Sequence, residues 1–154
     1  LDHGVRPDGA DYAYAILPGA DAETMPAISA NPGFEILRND TNAQIVRHPG
    51  AQLTGMVLYG AGSINMPGLG IAAVSHPCAI LIRTTKTGLT LTVANPAYEL
   101  GEGIDLEVAL EGTWRPDADD RSLTRAGNNG QTTLRVPLAA GESHTVVLLA
   151  PLPE

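Results

Sequence analysis

Glycine and proline occupy nearly one position in five, and this density constrains the fold more than any other feature of the sequence. The 154 residues include 17 glycines and 12 prolines. Glycine weakens helices through backbone entropy and proline removes an amide donor, so the composition favours short strands joined by tight turns. Hydrophobic residues make up 44% of the chain and charged residues 17%, which is enough apolar material to build a core.

Alternation of side chains predicts strands along most of the chain. Apolar residues alternate with threonine in Leu89–Val93 and mainly with acidic residues in Ile104–Glu111, which is typical of strands with one dry face and one wet face. The continuous apolar runs Ala79–Ile82 and Val146–Leu149 predict strands that are covered on both faces. Further strands are predicted at Asp11–Leu17, Phe34–Leu37, Ala43–Arg47, Leu53–Tyr59 and Gln131–Val136. A single short helix is predicted at Asp21–Ala30, with Asp21 as its cap.

These elements predict an all-β protein, an antiparallel β-sandwich. The segment Gly60–Gly70 has few bulky residues and indicates a linker or a long hairpin arm. We therefore expect a domain boundary there, with residues 1–65 at the edge of one sandwich and residues 66–154 forming a second.

Two classes of partner are not expected, one because of the charge of the chain and the other because of its hydropathy. Nine Lys and Arg against 17 Asp and Glu leave a net charge of -8, and the basic residues are scattered. Nucleic acid is not an expected partner, because phosphate binding needs a concentrated basic patch. A membrane is not expected either, since no apolar run approaches the roughly 20 residues that span a bilayer. Because the chain begins with Leu1 and shows no signal peptide, we expect a processed chain or a piece of a longer one.

The sequence contains no local motif for catalysis, a metal or a cofactor. His3, His48, His76 and His144 are too far apart for a local zinc motif. Cys78 opens an apolar strand with no basic residue nearby, so a buried, inert thiol is predicted. The acidic loop that contains Asp117, Asp119 and Asp120 lacks the spacing of a calcium loop, which favours a solvated turn over an ion site.

Aromatic side chains are the candidate substrate-binding residues. Tyr12 and Tyr14 share one face of a predicted strand and could stack on sugar rings, as could Trp114. The alternative for the tyrosines is a core or sheet-edge pair, because few aromatic residues serve a core of this size. Two functions therefore stay open beside a role within an enzyme: an independent carbohydrate-binding module and a structural spacer.

An ordered series of short motifs resembles the polysaccharide lyase family that contains hyaluronate, chondroitin AC and xanthan lyases. In that family a His-Gly pair, here His3-Gly4, precedes a Tyr-x-Tyr strand that ends in Leu-Pro, here Tyr12–Pro18. A short helix and the strand Phe34–Asn39 follow in register, and Leu89–Pro96 is similar to the family's C-terminal domain. The family commonly has Asp-Pro at the last pair, so Asn95 departs from the pattern, with little expected effect on function.

The resemblance implies the non-catalytic C-terminal portion of a bacterial, secreted enzyme that cleaves uronate-containing polysaccharides by β-elimination. Residues 1–65 would then be the end of a large central β-sandwich, and residues 66–154 a small C-terminal β-sandwich domain. The implied partners are an acidic polysaccharide and an N-terminal α/α-toroid of the same enzyme. The family's catalytic residues lie upstream of the segment that this chain matches, so none is assigned here, and His3 belongs to the His-Gly motif.

Overall fold

The computed structural model describes residues 16–64, 66, 68–97, 103–117, 123–126 and 130–150. The chain divides into two compact units, Leu1–Gly33 and Phe34–Glu154. The described part of the first unit contains α1 (Met25–Ala30). The strands of the second unit are β1 (Glu35–Asn39), β2 (Ala43–His48), β3 (Leu53–Leu58), β4 (Gly62–Ser63), β5 (Ile71–Val74), β6 (Cys78–Thr84), β7 (Gly88–Ala94), β8 (Ile104–Glu111), β9 (Arg115–Pro116), β10 (Leu123–Ala126), β11 (Gln131–Leu138) and β12 (Ser143–Leu149).

These strands form two antiparallel sheets. The seven-stranded sheet has the order β1-β2-β3-β6-β7-β12-β9, and the five-stranded sheet has the order β10-β11-β8-β5-β4. Their inward side chains share one core, in which Ile45, Leu91, Leu106 and Val146 are fully buried. The period of two in β7, β8 and β11 aims alternate side chains at this core, which is why the pattern predicts those strands correctly. The predicted antiparallel β-sandwich is confirmed.

The helix of the first unit is shorter than predicted, because Asp21 holds the residues that precede the helix in a turn. The carboxylate oxygen Oδ1 of Asp21 accepts hydrogen bonds from the backbone N–H of Glu23 at 3.1 Å and of Thr24 at 2.7 Å. The helix then begins at Met25 instead of Asp21 and ends at Ala30 as predicted. The predicted strand Asp11–Leu17 lies outside the described residues except for Ile16 and Leu17, which are not in a strand.

The segment Gly60–Gly70 joins the two sheets of one sandwich. Ile64 and Leu69 are buried in the common core, and β4 pairs with β5 at the edge of the five-stranded sheet. Strands from both sides of residue 65 lie in one sheet, since β3 pairs with β6 along its whole length. The two compact units of the chain divide after Gly33. The small residues of Gly60–Gly70 serve a crossover between the sheets, and the division into residues 1–65 and 66–154 stays a prediction.

The apolar runs in β6 and β12 have one open face, contrary to the prediction that both faces are covered. Ile80 and Ile82 point into the core, whereas Leu81 between them is 46% exposed. In β12, Val147 is likewise 40% exposed between the buried Val146 and Leu148. The outer face of the seven-stranded sheet is therefore more apolar than a face adapted to water.

Candidate functional site

Trp114 is anchored to the sandwich, and its indole N–H is already engaged in a hydrogen bond. The ring packs against the core, and its Nε1–H donates to the carbonyl oxygen of Glu111 at 2.7 Å. Gly112 turns the chain there with a φ of +91°, a left-handed conformation that suits glycine. The ring therefore has a structural role in closing the end of the core, and stacking on a sugar stays a prediction.

Thr132 fixes this turn from the neighbouring strand. Its hydroxyl accepts a hydrogen bond from the backbone N–H of Trp114 at 2.8 Å and donates one to the carbonyl oxygen of Gly112 at 3.0 Å. The side chain is 1% exposed, so water does not compete for these bonds. The sequence pattern does not reveal this role of Thr132, because a threonine in a strand ordinarily lies on its solvent-exposed face.

Asn95 is a second buried polar residue that the sequence does not reveal as structural. Its side-chain amide donates to the carbonyl oxygen of Ala139 at 3.2 Å, and its side-chain oxygen accepts from the backbone N–H of Ala97 at 3.1 Å. The backbone N–H of Asn95 also donates to the carbonyl oxygen of Glu142. Asn95 therefore connects the end of β7 to the turn between β11 and β12, and its role is to hold the fold.

Two of the histidines considered as metal ligands, His48 and His76, have local structural roles. The His48 ring accepts a hydrogen bond from the backbone N–H of Ala51 at 3.1 Å and so caps a short turn. The Ser75 hydroxyl accepts from the backbone N–H of Glu107 and lies 2.8 Å from Nδ1 of His76, which joins the β5–β6 turn to β8. These contacts hold turns and assemble no acid–base pair around a cleft.

Cys78 is buried as predicted. Its side chain is 0% exposed in the core, and burial raises the pKa of the thiol to about 11. A thiolate is the nucleophilic and metal-binding form of cysteine, so this residue is unreactive near neutral pH.

The described residues form no metal site, since nowhere among them do three His, Cys, Asp or Glu side chains come together. Asp117 is described and exposed, whereas Asp119 and Asp120 of the same acidic loop lie outside the described residues. Tyr12 and Tyr14 also lie outside them, so sugar stacking by these two rings stays a prediction. No described helix is long and apolar enough to cross a membrane.

A pocket of about 200 Å³ opens between the β1–β2 turn and the β3–β4 connection. Its charged lining residue, Arg38, donates from Nε to Asp40 at 2.7 Å. This bond, together with the backbone N–H groups of Asn42 and Ala43, lowers the pKa of Asp40 to about 2. Because Asp40 already pairs with this guanidinium, Arg38 is a weaker partner for a uronate carboxylate than an unpaired arginine.

The sequence and the fold both match one enzyme family. Residues 35–102 match polysaccharide lyase family 8, C-terminal beta-sandwich domain. The chain carries this domain of the family. The recognition from the ordered motifs is confirmed, although Asn95 replaces the Asp of the motif.

Individual members of family 8 resemble this chain over most of its length. A chondroitin sulfate ABC exolyase of Bacteroides thetaiotaomicron is 35% identical over 104 residues, which are 67% of this chain and 10% of the exolyase. A hyaluronate lyase of Cutibacterium acnes is 30% identical over 96% of this chain and 18% of that lyase. The solved chondroitin AC lyase of Streptomyces coelicolor A3 has a TM-score of 0.75 at 27% identity, covering 98% of this chain and 20% of that enzyme. The chain thus spans a fifth or less of the length of these family 8 lyases.

Proposed function

We propose that this chain is the non-catalytic C-terminal β portion of a secreted polysaccharide lyase, which cleaves a uronate-containing polysaccharide by β-elimination. The observation that carries the proposal is the similarity of fold and sequence over 98% of the chain to one part of a chondroitin AC lyase. The substrate class is proposed from the relatives, which are named for chondroitin and hyaluronate. The catalytic partner is the N-terminal part of the same enzyme, because the sequence resemblance assigns the catalytic residues to the α/α-toroid and to the early β region that follows it.

The chemistry of the described residues agrees with a non-catalytic role in the enzyme. β-Elimination next to a uronate needs cationic or amide groups that stabilise an enolate-like intermediate. Arg38 and Arg135 are held in ion pairs with Asp40 and Asp105 respectively, and the other basic residues are scattered along the sequence. The chain as a whole carries a net charge of -8, which repels a polyanionic substrate.

The test is an absorbance assay for unsaturated uronate products on hyaluronan, chondroitin and xanthan. The 154-residue chain is compared with the longest natural polypeptide that contains it. We expect no turnover by the chain alone and turnover of one or more of the three polymers by the longer polypeptide. Turnover by the chain alone, or by neither protein, would refute the proposal.

A further inference from the structure

The pocket of about 200 Å³ lies at the crossover between the two sheets. One wall comes from the β1–β2 turn and the end of β3, and the other comes from the β3–β4 connection and β5. Three lining side chains belong to the common core, those of Leu58, Ile64 and Val74. The volume is that of about seven water molecules at roughly 30 Å³ each, so the pocket has room for one ring-sized group and not for a segment of polymer.

The wall at the β1–β2 turn is held in place by hydrogen bonds of the domain itself. Oδ1 of Asp40 accepts from the backbone N–H of Asn42 at 2.8 Å and of Ala43 at 2.9 Å, and Oδ2 accepts from Nε of Arg38 at 2.7 Å. The backbone N–H of Tyr59 donates to the carbonyl oxygen of Asn42 at 3.0 Å, which ties the turn to the end of β3. A wall that is already ordered loses little conformational freedom when a ligand enters, which favours binding.

Several hydrogen-bond donors around this pocket are not used by the domain. Within the described part of the chain, the side chains of Asn42 and Ser63 make no hydrogen bond, and Arg38 uses Nε alone, which leaves both of its Nη groups. The backbone N–H groups of Gly60 and Ala61 likewise donate no hydrogen bond to any described residue. A ligand that replaces water here needs several oxygen acceptors on one small group.

Gly60 is a second observation, because the domain gives no reason for a glycine at this position. Its φ is not positive, and a Cβ built on it would meet no atom within 4 Å. Glycine is favoured where a ligand approaches the backbone closely. The open space at Gly60 and the unused donors therefore occur in the same pocket and indicate the same kind of occupant.

The charges around the pocket favour a neutral ligand over an anion. Among the lining residues that the structure describes, Arg38 is the one with a charge, and its pairing with Asp40 leaves the two side chains with no net charge. The chain as a whole carries a net charge of -8, which repels anions. A pyranose ring without a carboxylate meets these conditions, because its hydroxyls accept and donate hydrogen bonds while its C–H groups suit the apolar side chains from the core.

We propose that this pocket binds one neutral sugar residue of the polysaccharide. The assignment of that sugar to the polymer which the enzyme cleaves rests on the proposed function. Asn42, Ser63 and the Nη groups of Arg38 donate to hydroxyl or acetamido oxygens of the sugar, and Gly60 leaves room for the ring. The domain thus contacts the polymer through a neutral residue and not through the uronate residues, which its net charge repels.

Titration of the 154-residue chain, followed by NMR of the backbone amides, tests the pocket. The probes are two neutral sugars, N-acetylglucosamine and methyl glucoside, and the anionic sugar glucuronate. We expect saturable shifts at Asn42, Gly60 and Ser63 with one or both neutral sugars, with a Kd on the order of 1 mM for ligands of this size. Glucuronate should bind at least about fivefold more weakly, because its carboxylate meets an arginine that is already paired.

Two results of this titration would overturn the inference. One is the absence of saturable shifts at these amides with both neutral sugars up to about 20 mM, well above the expected Kd. The other is binding of glucuronate that is as tight as that of the neutral sugars or tighter, which would assign the pocket to an anion.

Two variants show whether the lining side chains contact the sugar. Asn42→Ala and Ser63→Ala remove side chains that make no hydrogen bond with described residues, and each should weaken binding about fivefold, the effect of one lost hydrogen bond. Ser143→Ala is the matched control, because Ser143 is exposed in β12, three strands away from β3 in the seven-stranded sheet. We expect it to leave the Kd unchanged. The dispersion of the amide spectrum checks that each variant keeps the fold, and equal effects of the three variants would contradict binding in this pocket.

Failure of the proposed function gives a different result from failure of this inference. Turnover of a polymer by the longest natural polypeptide that contains the chain, without binding of a neutral sugar by the 154-residue chain, would overturn the inference alone. Binding of a neutral sugar without turnover of hyaluronan, chondroitin or xanthan would support the pocket as a sugar site. The same result would refute the proposed function, and with it the polymer as the source of the sugar.

Discussion

Thr132 is expected to contribute more to stability through its hydroxyl than through its methyl group. Thr132→Val keeps the shape of the side chain but removes one acceptor and one donor, leaving the N–H of Trp114 and the carbonyl of Gly112 without this partner. Each lost bond at such a site costs about 1 kcal/mol or more, so we expect the free energy of unfolding to fall by about 2 kcal/mol. Thr132→Ser keeps both bonds and removes one buried methyl group, at a cost of about 1 kcal/mol.

The assay uses the only tryptophan of the chain. Because the sequence contains one Trp, fluorescence on urea unfolding reports Trp114 and therefore the turn that Thr132 holds. With an unfolding slope of about 2 kcal/mol per M, Thr132→Val should lower the urea midpoint by about 1 M and Thr132→Ser by about half as much. Circular dichroism on the same samples tests whether the whole sandwich unfolds in the same transition.

The relative stability of the two variants shows whether the hydrogen bonds of Thr132 stabilise the turn. Valine is the better strand former and the more apolar residue, so arguments from propensity or burial alone rank Thr132→Val above Thr132→Ser. If Thr132→Val is as stable as Thr132→Ser or more stable, the hydrogen bonds of this hydroxyl do not stabilise the turn and the reasoning fails.

Three further predictions concern the backbone, pH and thiol chemistry. Gly88→Ala should destabilise the chain by about 3 kcal/mol, because the new Cβ would overlap the carbonyl oxygen of Leu148 in the paired strand; Gly60→Ala, which meets nothing within 4 Å, is the control in thermal melts, and equal melts would contradict the clash. The folded-state pKa of Asp40 lies near 2, below its ordinary value of 3.8, so its stabilising effect is complete above pH 4 and is lost as the pH falls towards 2. Asp40→Asn should therefore show a shallower loss of stability over that range in acid unfolding, and an unchanged slope would exclude this contribution. The Cys78 thiol should react with a disulfide reagent at neutral pH only after urea is added, and rapid reaction of the native chain would contradict its burial.

The sequence predicts a strand correctly where buried and solvent-exposed side chains alternate along it. In β8, Leu106, Val108 and Leu110 alternate with more exposed positions, so the period of two identifies both the strand and its buried face. The order of strands within the sheets does not follow from such local patterns. β12 pairs with β7 because the two meet in space, and no turn motif in either strand specifies that pairing.

The buried polar residues that hold the turns are harder to predict from the sequence, for a physical reason. Thr132 and Asn95 are buried because distant segments supply their hydrogen-bond partners, such as Ala139 for Asn95. A pattern of polarity assigns such residues to the wet face or to a turn, since it contains no information about those partners. For Leu81 the pattern predicts burial, and the structure of this chain alone leaves the residue open.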